Sequence, residues 1–200
     1  MCDARNCMQA GDIGIAMRTE VHVHGSIFLC KGVRLKQVEQ ALRPWLAYLD
    51  VETLADAHSL EREEPGIVFD AQERTLNICW TGEVGRNFQE KLGNAFQNVG
   101  PLTEYASEVE VTYYPDHGDD EFFQVFVGPT PESIHEFRRQ CVVEDATHLL
   151  SRHLGKTEVD QVATLISDLF SKIQPPKQPT SEQSGSSTVI PLHPRGKHLH

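Results

Sequence analysis

Nowhere does the chain approach the ~18 consecutive apolar residues of a membrane-spanning helix, and none is expected. Residues 1–18 lack the apolar core of a secretory leader, because Asp3, Arg5, Asn6, Gln9 and Asp12 interrupt them. There is no CxxC pair. The five cysteines, Cys2, Cys7, Cys30, Cys79 and Cys141, are odd in number and widely spaced, which excludes zinc-finger and thioredoxin-type frameworks. Reduced thiols in a cytoplasmic protein are the expectation. Also missing are GxSxG, a P-loop and GxGxxG, so serine-hydrolase, nucleotide-phosphate and dinucleotide chemistry have no motif here.

Positive charge is scarce as well. Eighteen Lys and Arg stand against 29 Asp and Glu, for a net charge of −11. Only one acid, Glu182, lies beyond Asp168, so residues 1–173 carry −13 and residues 174–200 carry +2. An acidic body of this kind disfavours nucleic acid, because like charge repels the phosphate backbone at long range. It leaves open a protein partner with a basic surface.

Two hundred residues with 39% hydrophobic content suffice for one domain with its own core. Residues 1–18 have no apolar period and read as a flexible lead. Residues 19–173 read as a single α+β domain, and residues 174–200, rich in Pro, Ser and Gly, as a disordered tail.

The organising pattern is 21–30, VHVHGSIFLC. Val21, Val23, Ile27 and Leu29 fall on one side of an extended chain, and His22, His24, Ser26, Phe28 and Cys30 on the other. A helix follows over 33–49, with a break expected near Arg43 because Pro44 removes a backbone donor and clashes one turn back. A short helical segment is expected within 51–59, then a charged, solvated loop over 61–65. Residues 66–70 and 75–81 read as a hairpin, 82–85 as a turn, 87–99 as a helix stopped by Gly100-Pro101. Strands follow at 108–114 and 121–127 around the PDHGDD turn, then a helix from Thr130 to Leu150 and another over 157–173 with Thr157 as N-cap.

This order predicts an α+β fold: a ferredoxin-like βαββαβ plait with an added fifth antiparallel strand and two C-terminal helices. In that plait the first strand lies between the third and fourth. His22 and His24 then fall beside Glu110, Thr112 and Tyr114, on a face turned away from the first two helices.

Two functions follow from that face. The preferred one is a non-enzymatic, intracellular protein-binding module, regulatory or inhibitory in role, with no cofactor. It acts through its sheet face (Glu110, Thr112, Tyr114, Phe122, Gln124, Phe126) or its C-terminal helices, on a partner that includes a second copy of itself. Exposed aromatics beside acids favour a protein interface over RNA, since basic residues are missing from these strands. The alternative is a metal-dependent hydrolase. Two histidines two apart on a strand point the same way, and His22 and His24 with Asp116, His117, Asp119 and Asp120 offer N and O ligands for a divalent metal such as zinc or manganese. An exposed hairpin turn has the same acidic composition. Cys30 and Cys79 fall on the histidine face and read as small packing residues.

Overall fold

The computed structural model describes residues 18–173; the expected lead and the expected Pro/Ser-rich tail, apart from Arg18, lie outside them. Five strands form one antiparallel sheet in the order β2-β3-β1-β4-β5. They are β1 (Thr19–Phe28), β2 (Gly66–Asp70), β3 (Thr75–Val84), β4 (Ser107–Tyr114) and β5 (Glu121–Val127). Helices α1 (Leu35–Ala41), α2 (Arg43–Tyr48), α3 (Phe88–Val99), α4 (Pro131–Leu150) and α5 (Lys156–Lys172) complete an α+β fold. No helix among the described residues is long and apolar enough to cross a membrane.

β1 is the central strand, as its alternation predicts. His22 pairs with Thr81 of β3 on one side and Thr112 of β4 on the other. Its apolar face (Val21, Val23, Ile27) is buried completely. The strand begins two residues earlier than the pattern indicates and ends at Phe28; Leu29 only bridges to Thr103, and the Cys30 N–H donates to the Leu102 carbonyl at 2.8 Å.

The apolar face packs on α1, α2 and α3 around an aromatic cluster. The Trp45 ring meets Trp80, Phe88 and Phe96 edge-on, with centroids 5.5, 6.3 and 6.0 Å away. Pro44 divides the first helical stretch as expected: α1 stops at Ala41, and α2 restarts with the proline in its first turn, where a missing N–H costs nothing. The segment expected to be helical within 51–59 forms only a single 3-10 turn, Leu54–Asp56.

β3 runs three residues past its expected end. Gly82 continues the strand opposite Val21 because the Trp80 indole lies along it, leaving no room for a side chain. Beyond it, Gly85 is held by Tyr48, whose hydroxyl accepts the Gly85 N–H at 2.7 Å. Thr130 caps α4, its side chain accepting from the Ser133 N–H at 3.2 Å. The cap of α5 is Gly155, not Thr157. Two residues earlier than expected, the chain is extended at Gly155 and turns into the helix.

Candidate functional site

Away from the helical layer, the sheet presents Glu20, His22, His24, Ser26 and Phe28 of β1. Beside them stand Cys79 and Thr81 of β3, Glu108, Glu110, Thr112 and Tyr114 of β4, and Phe122, Gln124 and Phe126 of β5. The predicted binding residues therefore share one face. Alternation divides the aromatics as expected: Tyr113 and Phe123 turn to the core, while Tyr114 and Phe122 are 38% and 48% exposed.

α4 crosses one end of this face. Phe137 meets the Phe126 ring edge-on at 6.1 Å, and the Arg138 guanidinium lies over the same ring at 5.7 Å. Between α4 and the sheet runs an open groove of ≈ 500 Å³, lined by Ser26, Phe28, Tyr105, Glu108 and Phe137 among others. Beside the groove, burial pushes the Glu108 carboxyl above its ordinary range. Glu110 and Asp145 add to the rise, and hydrogen bonding to Gln124 and Cys141 opposes it. Burial and the same carboxylate push the Cys141 thiol up to about 11, so it stays a protonated thiol at neutral pH.

A raised carboxyl in the folded state means that ionisation opposes folding. The stability it permits is complete below the unfolded carboxylate pKa and is lost as pH rises through the folded one. Glu108→Gln removes that loss and keeps an acceptor oxygen. In thermal melts the variant is expected to exceed the parent at neutral pH, with the gap closing as the pH falls below the carboxylate range. A gap that is constant with pH would exclude this origin.

α4 and α5 pack on each other, and α4 contains no fully buried residue. Of the apolar residues along α5, only Val159 is buried; Leu165 and Leu169 are 58% and 51% exposed, and Ile173 just beyond is 58% exposed.

The predicted ligand residues separate into two places. His22 and His24 stack, with ring centroids 6.0 Å apart and planes 14° from parallel. Asp116, His117, Asp119 and Asp120 occupy the exposed β4–β5 turn. Asp116 lies four residues beyond Thr112, the partner of His22, or roughly 13 Å along an extended strand. Among the described residues, one group brings three ligand atoms within 4.8 Å of one another, and it contains neither His24 nor that turn: His22, Glu64 and Cys79.

This group is assembled by the loop before β2. Gly66 pairs with Cys79, and the preceding residues fold back over β3. The Leu60 N–H donates to the Thr81 carbonyl at 2.8 Å, and the Ser59 hydroxyl accepts the Thr81 N–H at 2.9 Å. Ser59 donates to Glu64 Oε2 at 2.5 Å, and Thr81 Oγ1 donates to Glu64 Oε1 at 3.1 Å. His22 Nδ1 lies 3.2 Å from Glu64 Oε1. Burial raises the Cys79 thiol, and the charge of Glu64 raises it further, so it is not poised as a free nucleophile. Sequence reading puts Cys79 on the histidine face but passes over Glu64, whose loop reads as solvated charge.

These features define an α+β domain whose sheet has one helix-covered face and one largely open face bearing acids, aromatics and a His-Glu-Cys group. The chain belongs to a family of unknown function, DUF6806, whose pattern matches residues 19–171. No curated protein and no solved structure matches it.

Proposed function

We propose that the protein is a non-enzymatic, cytoplasmic protein-binding module, regulatory or inhibitory in role, that docks a basic protein surface on the open face of its sheet. Its fold is read as a ferredoxin-like plait extended by β5, α4 and α5, a reading supported by β1 lying between β3 and β4. The observation that carries the function is the exposure of Tyr114 and Phe122 beside Glu20 and Glu110. Residues 18–130, which include this face, have a net charge of −10, whereas residues 131–173 have −2. Such a surface offers aromatic anchors within a negative field and steers a positive partner toward them. The same field opposes face-to-face pairing of two copies. Among the described residues, the free thiols of Cys30, Cys79 and Cys141 are in keeping with a reducing compartment.

The test uses the full-length protein and two length-matched peptides, one rich in Lys and Arg and one rich in Asp and Glu. The basic peptide is expected to shift the amide resonances of Glu110, Thr112, Tyr114 and Phe122, less so as salt rises. Phe122→Ser combined with Glu110→Lys is expected to weaken binding at least ~10-fold, as loss of an anchor and reversal of a rim charge should. Equal binding to the double variant, or shifts confined to α4 and α5, would refute the proposal. A concentration-dependent dimer that Phe122→Ser abolishes would replace it with self-association.

A further inference from the structure

We infer that His22, Glu64 and Cys79 form a zinc-binding site on the open face of the sheet. Three donor atoms of different type, Nδ1, Oε1 and Sγ, converge within 4.8 Å from β1, the loop before β2, and β3. Two N or O ligands, each ~2.0–2.2 Å from one tetrahedral zinc, stand roughly 3.4 Å apart. The His22 Nδ1 to Glu64 Oε1 separation is 3.2 Å, already the spacing of two ligands on one ion; the hydrogen bond between His22 Nδ1 and Thr81 Oγ1, 2.9 Å long, is given up when the ion binds.

The donor set selects the metal. A thiolate with an imidazole and one carboxylate suits zinc and does not suit magnesium, calcium or manganese, hard ions that disfavour thiolate. The surroundings are those of a held ligand. Glu64 receives hydroxyl hydrogen bonds on both oxygens, from Ser59 and Thr81, and Ser59 is itself fixed by the Thr81 and Glu61 N–H groups. Partners of this kind set the aim and basicity of ligating side chains. Both His22 and Glu64 are partly withdrawn from water, with side chains 26% and 18% exposed.

Binding is balanced as ligand exchange. Zinc gains bonds to sulfur, nitrogen and oxygen and loses waters; the Cys79 thiol proton goes to solvent, and the remaining imidazole proton of His22 sits on Nε2. A carboxylate and a thiolate, which repel each other alone, are drawn together once a dication stands between them. Three protein ligands leave a fourth position for water or for His24, whose Cα is opposite Cys79. The site shares only His22 with the set expected from the sequence.

The experiment loads the full-length protein with Co²⁺ in place of zinc and records the near-ultraviolet charge-transfer band that a cobalt–thiolate bond produces. The band is expected in the parent protein, in Cys30→Ser, in Cys141→Ser and in the Cys2→Ser, Cys7→Ser double variant, and to vanish in Cys79→Ser. In competition with a chromophoric chelator, His22→Ala and Glu64→Ala are expected to weaken zinc binding at least ~100-fold, and Thr81→Val by ~10–100-fold. Cys79→Ala serves as a second thiol variant, and circular dichroism shows that each variant folds. A parent protein without the band, a band that survives removal of Cys79, or one lost with Cys2 and Cys7 would overturn the site. So would zinc retained without loss in His22→Ala and Glu64→Ala, which would assign it to the histidines of residues 190–200.

Discussion

Trp45→Ala is expected to remove ~3–5 kcal/mol of stability, the usual cost of truncating a large aromatic side chain in a packed core. Trp45 is wholly buried, and its ring is the contact shared by Trp80 of β3 and by Phe88 and Phe96 of α3. Deleting it leaves a cavity between sheet and helices that three other aromatics cannot fill without leaving their rotamers. Against a typical total of ~5–15 kcal/mol, such a loss brings the domain close to unfolding at room temperature. Urea denaturation monitored by far-ultraviolet circular dichroism measures it; a loss below ~1 kcal/mol would show that the cluster is not the centre of the core. Trp45→Phe offers a sharper reading. The Trp45 Nε1 is buried without a hydrogen-bond partner, so the smaller ring loses volume but also relieves an unpaired donor. Its cost is expected to be well under half that of the alanine variant.

Gly82→Ala is the second substitution with a large expected effect, although it adds only a methyl group. A Cβ built at Gly82 overlaps Cη2 and Cζ2 of the Trp80 indole. That ring cannot simply swing aside: its Nε1 donates to the His58 carbonyl at 3.0 Å, and its face stacks on Phe88 at 6.0 Å. Alanine must therefore displace the indole, break the hydrogen bond to the loop, or bend β3. Overpacking of this sort costs ~1–3 kcal/mol, and the indole N–H of buried Trp80, stripped of its acceptor, adds ~1–3 kcal/mol. The expected sum is roughly 3 kcal/mol by denaturant titration. It should be accompanied by a changed tryptophan emission spectrum, because the indole moves. Gly82→Ala with parental stability and spectrum would mean that β3 gives way at no cost.

The contrast between these two residues explains what the amino-acid order makes legible. Trp45 announces itself: it sits on an apolar stripe at helical spacing, and Pro44 beside it marks where one helix becomes two. Alternation in 21–30 likewise identifies the central strand, and alternation in 108–114 and 121–127 sorts Tyr114 from Tyr113 and Phe122 from Phe123. These are local properties with a fixed period, and period is what a linear pattern carries. Gly82 is different. It reads as part of a turn because glycine is a turn residue, yet here it serves a strand, for a reason that resides in the ring two positions away and in the length of β1 opposite.

The His-Glu-Cys group was half legible for the same reason. His22 and Cys79 fall on a common face by alternation alone. Glu64 reaches them only because the 57–65 segment doubles back, anchored by one serine hydroxyl and by the Leu60 and Trp80 hydrogen bonds. No period encodes a loop that folds over a strand. The Asp116–Asp120 turn shows the converse: its composition is that of a ligand cluster, and its position at the tip of a hairpin keeps it apart from the histidines.

The central position of β1 also governs how the molecule comes into being. Its two neighbours lie far downstream, Thr19 opposite Val84 and Glu20 opposite Tyr114. During synthesis the first ribbon leaves the ribosome with its valines uncovered, and both flanking positions stay empty until β3 and then β4 have been made. Pairings so distant in the chain make closure slow compared with a helical bundle. The central strand gains its first neighbour once β3 is complete at Val84 and its second once β4 is complete at Tyr114.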